Sequence, residues 1–285
     1  MKIKAILEQK PTVSFEVFPP KQWDKIEGTK AVVKEMVKSH PAFMSVTYGA
    51  AGTTSGFTTE IAREILDDGV TPLAHLTCLT STRDKIHQVV AELQENGIEN
   101  ILALRGDIPR DFQFPAEQYF EHAYQLVNEI RTLGDFCIGG ACYPEVHPES
   151  KNRVEDLEHL KQKVDCGVDF LTTQMFFDNT VFYNFREMCA IKGIDVPLIA
   201  GIMPITKASQ LERTVKLSGC SAHQVCKDRG ALRRSGRRHA AGGHCVRCRA
   251  DYRPDGQRRG SYSYLHHEQA GCGRCHCARV GQHYS

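Results

Sequence analysis

No stretch of this chain is apolar for long enough to cross a bilayer, and its start, Met1-Lys2-Ile3-Lys4, lacks the apolar run and small-residue cleavage site of an export signal. A cytoplasmic protein with no membrane partner is the expectation. Charge of one sign is lacking too: the net charge is +2 over 285 residues, 41% of them hydrophobic, which describes one large soluble domain or two small ones. Residues 1–221 hold no Cys or His pair at metal-ligand spacing, so no metal is expected there. They also lack a phosphate loop of the Walker type and a serine elbow for acyl transfer, which sets aside nucleotide hydrolysis and esterase chemistry. Finally, no Gly-x-Gly-x-x-Gly turn follows the first strand; Phe18-Pro19-Pro20-Lys21 stands there instead, which weighs against a doubly wound dinucleotide fold.

What is present falls into two regions with a break near Ser221. Before it, strand-like segments at 13–18, 43–48, 73–78, 101–104, 136–142, 170–174 and 198–203 alternate with amphipathic stretches at 26–39, 59–68, 83–96, 116–132, 153–166 and 180–191. Seven such repeats, at about 30 residues each, imply a parallel sheet with right-handed crossovers and fit a (β/α)8 barrel. Six of the twelve cysteines (Cys78, Cys137, Cys142, Cys166, Cys189, Cys220) are scattered through this region, mostly in apolar surroundings that suit reduced, buried thiols.

Within the first strand, Ser14-Phe15-Glu16-Val17-Phe18-Pro19-Pro20 sets one carboxylate among apolar residues before a double proline ends the segment. Burial there would raise the pKa of Glu16 and make it a general acid near neutrality; an edge-strand glutamate reaching water is the alternative. Barrel chemistry gathers at the C-terminal strand ends, and those ends are rich in polar residues: Thr47 and Tyr48, His75 and Thr77, Arg105-Gly106-Asp107, Tyr143 to His147, and Thr172 to Gln174. Singly, His75 reads as a satisfied core histidine and Arg105 with Asp107 as a local salt bridge. Together they read as one pocket.

The strings Ser14 to Lys21, Ser45 to Ala50, His75 to Cys78, Leu104 to Asp107, Tyr143 to Glu149 and Gln174 to Asp178 resemble, densely and in order from about Pro11 to Ser218, the bacterial-type 5,10-methylenetetrahydrofolate reductases. The resemblance implies a flavoprotein barrel that holds FAD at the strand ends. It implies NADH or NADPH as co-substrate, a folate substrate, and a homo-oligomer if the barrel is complete. Glu16 matches the family's general acid and Asp107 the carboxylate beside flavin and pterin. Thr47, Tyr48, Ala50, His75, Arg105, Gly106, Tyr119, Tyr143 and His147 match flavin-contacting positions, and Asp156, His159, Gln162 and Lys163 match the helix that meets the FAD phosphates and adenosine. Gln174 and Gln210 match folate contacts.

Beyond the break, residues 222–285 contain no Ile, Phe, Met, Trp, Asn or Thr, and no helix or strand face can be drawn there. Cys245-x2-Cys248 and Cys272-x2-Cys275 have zinc-ribbon spacing, and the twelve arginines suggest a nucleic-acid surface. A different reading explains more. Back-translated one nucleotide out of register, 262–271 permits Ile-His-Ile-Tyr-Thr-Met-Asn-Lys-Pro, similar to the family's eighth strand and the loop after it, and 244–260 permits an amphipathic helix before it. The expectation is therefore an incomplete reductase-like barrel over 1–221 and a disordered, frameshift-derived tail over 222–285. Zinc and nucleic acid are then not partners. First and seventh strands with open edges, and an impaired enzyme, would follow. A flavin-binding protein without turnover and a zinc- or nucleic-acid-binding protein are the competing classes.

Overall fold

The computed structural model describes residues 1–9, 11–20, 22–48, 55–107, 120–203 and the strand at 261–265. In chain order the elements are α1 (Ile3–Gln9), β1 (Val13–Val17), a 3-10 turn (Trp23–Lys25), α2 (Ile26–Val37), β2 (Phe43–Val46), α3 (Ser55–Asp67), β3 (Thr71–Thr77), α4 (Arg83–Glu95), β4 (Asn100–Leu104), α5 (Ala123–Leu133), β5 (Cys137–Cys142), α6 (Arg153–Asp165), β6 (Phe170–Thr173), α7 (Asn179–Ile191), β7 (Leu198–Ile202) and β8 (Ser261–Leu265). The strands are parallel and close in sequential order. Glu16 of β1 stands opposite Ser45 of β2 on one side and Leu265 of β8 on the other.

Closure corrects one expectation. Strands β1 and β7 are not left with open edges: the tail supplies β8, which pairs Val13 to Glu16 on one flank and Ile199 to Ile202 on the other. Ser-Tyr-Ser-Tyr-Leu has the strict alternation and aromatic content that a strand accepts, and two unpaired edges reward any segment able to pair with both. No helix follows it among the described residues.

Period-2 alternation sorts the strand residues into two layers. The outward set, including Met44, Val46, Ala74, Leu76, Ile101, Ala103, Ile138 and Leu171, packs against Ile61, Ile65, Val89, Leu93, Val127, Ile130 and Phe185 of the surrounding helices. The inward set forms a separate apolar floor: Phe43, Leu73, Leu102, Cys137, Phe170 and Ile199 meet Ile3, Ile6 and Leu7 of α1. Gly139 makes room for this floor, since a Cβ there would lie 2.5 Å from the Phe170 ring. Asn100 fastens α1 below it, accepting from the Ile3 amide (2.8 Å) and donating to the carbonyls of Met1 and Pro72 (3.1 Å each).

Helices α4, α6 and α7 open on side-chain caps: Thr82 accepts from the Lys85 amide (3.2 Å), Asn152 from Glu155 (3.0 Å) and Asp178 from Thr180 (2.8 Å). Their first turns therefore start at fixed points on the C-terminal face. Five cysteines among the described residues are free thiols, four of them buried, as reduced core residues should be. No helix among the described residues is long and apolar enough to cross a membrane.

Candidate active site

Two residues along the inward faces of β2 and β3 the apolar floor gives way to polar side chains, and Glu16 stands at the same level on β1. Phe43 is followed by Ser45, Leu73 by His75 and Thr77, and Ser14 by Glu16. This polarity gradient builds the site, because each strand points its C-terminal half at one shared mouth.

At the centre Glu16 is 16% exposed and His75 7%. Glu16 Oε2 lies 3.5 Å from the Ser45 hydroxyl and 3.7 Å from His75 Nε2. Burial pushes the Glu16 carboxyl up to about 8, against the opposing pull of the Ser45 hydroxyl. Burial also pushes His75 down to about 3. At neutral pH a protonated acid therefore faces an uncharged imidazole. His75 is not a satisfied core histidine: its Nε2, like Thr77 Oγ1 and Ser14 Oγ, is buried with no hydrogen-bond partner among the described residues.

Beside this pair stands the turn after β4. The Arg105 carbonyl accepts from the Cys78 (3.2 Å) and Leu79 (2.9 Å) amides, which ties the turn to the end of β3. Gly106 has φ +88°, and a Cβ on it would sit 2.9 Å from Thr77 Cβ, so only glycine serves there. The Arg105 guanidinium makes a two-point ion pair with Glu149 from the β5–α6 loop rather than with Asp107. Asp107 is exposed at the mouth, where its charge, after burial, holds the Tyr143 phenol above its ordinary value. Tyr143 also shares a side-chain hydrogen bond with Gln174 and packs edge-on against His147 at 4.5 Å. His147 accepts the Glu149 amide proton at Nδ1 (3.2 Å), and burial lowers its pKa, so it is neutral with the proton on Nε2.

Thr47 and Tyr48 extend from β2; the Thr47 carbonyl accepts from Thr58 of α3 (3.0 Å), and Tyr48 is buried. On α6, Asp156 accepts from the His147 amide (3.2 Å) and the Ser150 hydroxyl (3.4 Å), while Lys163 donates to the Ala141 carbonyl with its pKa lowered by burial. His159 and Gln162 lie on the exposed side of the same helix. The expected sites Ala50, Tyr119 and Gln210 lie outside the described residues. Among the described residues no group of three His, Cys, Asp or Glu could hold a metal. Sequence reasoning missed Ser45 and Glu149. The period of β2, which puts Ser45 on the same face as Phe43 and Thr47, could have found the first.

A family model described as methylenetetrahydrofolate reductase matches residues 2–233. The chain is 38% identical over 210 residues to 5,10-methylenetetrahydrofolate reductase of Pectobacterium carotovorum subsp. carotovorum, covering 73% of this chain and 69% of that one. It is 39% identical over 202 residues to the Escherichia coli (strain K12) protein of the same name, covering 70% and 67%. With methylenetetrahydrofolate reductase (NADH) 1 of Arabidopsis thaliana the identity is 40% over 220 residues, covering 72% of this chain but 37% of the plant protein. Among solved structures, a Clostridium thermocellum protein that binds two copies of 5-methyl-5,6,7,8-tetrahydrofolic acid aligns with TM-score 0.56 at 11% identity over 92% of this chain and 91% of that one. At that identity the likeness concerns the fold alone.

Proposed function

The chain belongs to the methylenetetrahydrofolate reductase family, and from that premise we propose that it reduces 5,10-methylenetetrahydrofolate to 5-methyltetrahydrofolate, with FAD as its cofactor and NADH or NADPH as the hydride source. The carrying observation is Glu16, a carboxylic acid held protonated to about pH 8 inside the mouth of the barrel.

The mouth suits a flavin. His75 Nε2 and Thr77 Oγ1 are buried polar atoms in want of partners, which a ring edge rich in donors and acceptors satisfies. Gly106, at φ +88° and packed against Thr77, fixes the turn after β4 beside them. Thr47, Tyr48, Ala50, His75, Arg105, Gly106, Asp107, Tyr119, Tyr143 and His147 would hold the ring and ribityl end; Asp156, His159, Gln162 and Lys163 would meet the phosphates and adenosine. When bound, the flavin supplies the hydride.

The chain's own residues prepare the substrate. Opening the five-membered ring breaks a bond from the methylene carbon to one of its two nitrogens. The carboxyl proton of Glu16 passes to that nitrogen, and Glu16 is left as carboxylate. The methylene carbon becomes an iminium, a cation that the Asp107 carboxylate favours electrostatically. Gln174, with Gln210, orients the pterin through amide hydrogen bonds. While Glu16 keeps its proton, burial keeps His75 uncharged.

We also propose that residues 222–285 arise from a shift of reading frame and leave the chain with reduced activity. The family match ends at 233, and the segment that supplies β8 is the one whose alternative frame is similar to the family's eighth strand. Anaerobic incubation of the purified chain with FAD, NADH and methylenetetrahydrofolate, followed by chromatography, should yield 5-methyltetrahydrofolate. No product from the wild type, or equal product from Glu16→Gln, would refute the reading. Resequencing the source DNA across codons 216–229 tests the frame.

A further inference from the structure

The loop between β5 and α6 carries Tyr143, His147 and Glu149, three of the groups that shape the mouth, and it contains a conformational outlier. Val146 has φ +116°, a region that a β-branched residue occupies only when its surroundings enforce it. Two side chains from the start of α6 do the enforcing. Arg153, the first residue of the helix, reaches back to donate to the carbonyl of Pro144 (2.9 Å) and that of Glu145 (3.4 Å). Asp156, at the end of the same turn, accepts the His147 amide from the other side of Val146 (3.2 Å). The strained residue is thus gripped on both flanks from one rigid turn, itself fixed by the Asn152 cap.

The consequences run outward from Val146. With its φ held positive, the His147 amide turns toward Asp156. His147 Nδ1 then receives the Glu149 amide (3.2 Å), and the Glu149 carboxylate meets Arg105 across the mouth. If Val146 relaxed to a negative φ, each of these contacts would be misdirected, although the barrel beneath would be unaffected.

We propose that Arg153 is a positioning residue for the active site, acting through the strained backbone at Val146 to set His147 and Glu149. This rests on the reductase reading for its consequence in flavin binding, but its backbone mechanism is tested independently. Glycine adopts a positive φ without penalty, so Val146→Gly should make Arg153 partly dispensable.

The experiment is a double-mutant cycle on the full chain with Arg153→Met, Val146→Gly and the pair, and Arg153→Lys as the conservative variant. FAD affinity is read by quenching of flavin fluorescence, and the loop by amide exchange at His147 and Ser150. Arg153→Met should weaken FAD binding about tenfold and speed exchange at both amides, since a lost backbone constraint is an effect of roughly that size. Val146→Gly alone should bind within about threefold of wild type, and the double variant should regain at least about threefold over Arg153→Met. Arg153→Lys should fall between. Unchanged affinity and exchange in Arg153→Met would overturn the proposal, as would a double variant no better than Arg153→Met. If the wild type binds no FAD, the functional reading fails, and the exchange data still decide the part of Arg153.

Discussion

Replacing Glu16 by glutamine should stabilise the protein, and by an amount that grows with pH in a defined window. Glu16 has an ordinary value of 4.5 when unfolded and about 8 when folded. Below pH 4.5 both states carry the proton, and glutamine and glutamic acid are equivalent in charge. Between 4.5 and 8 the unfolded chain releases its proton while the folded chain keeps it. Stability therefore falls as pH rises, with a slope of about 1.4 kcal/mol per unit. At pH 7 the accumulated difference in favour of Glu16→Gln is about 3 kcal/mol, and above pH 8 it levels off at about 5 kcal/mol. His75 acts in the opposite direction. Its lowered value means that stability is lost as pH falls from 6.5 toward 3, in both proteins alike, so it cancels in the comparison. Urea unfolding of the two proteins at pH 5, 7 and 8.5 measures the difference. A gap that does not change between pH 5 and 8.5 would refute the claim that Glu16 is buried as an acid.

Three further outcomes follow from the same geometry. Ser45→Ala removes the hydroxyl that favours the Glu16 carboxylate, so the basic limb of the pH–rate profile should move to higher pH; movement to lower pH would contradict the assigned contact. Gly106→Ala forces a Cβ against Thr77 at a positive φ and should cost about 1–3 kcal/mol in stability together with most of the FAD affinity, both read by thermal melting with and without FAD. Arg131→Leu should cost about 2–4 kcal/mol in urea unfolding while FAD affinity holds, because Arg131 joins the carbonyls of Gly167 and Phe136 to the Asp169 carboxylate on the floor side of the barrel.

Much of this architecture was legible because the strands are nearly all apolar and the helices amphipathic, so both periods stood out between short turns. Strand β4 and helix α4 fall within a residue of expectation. Helix α1 escaped notice for a physical reason: seven residues cannot hold a helix alone, and its stability comes from the apolar floor and from Asn100, 97 positions away. Strand β8 was passed over because its five alternating residues lie in a tail rich in Arg, Gly, Cys and His; the fold uses them to pair with both β1 and β7. In the site, Glu16 announced itself as the lone charge in an apolar run. The partner of Arg105 did not. Proximity in sequence favoured Asp107, whereas the fold brings Glu149 across 44 positions to take both guanidinium donors. Pairings of that kind belong to topology, and a pattern read along the chain does not contain them.

The measurement that bears most directly on the whole account is the rate of 5-methyltetrahydrofolate formation by the flavin-loaded chain from pH 6 to 10. A plateau that bends downward near pH 8, with Glu16→Gln slower by about a hundredfold or more on the plateau and the two rates converging toward pH 10, is the result the buried acid requires. A flat profile, or a Glu16→Gln variant as fast as the wild type on the plateau, would contradict it.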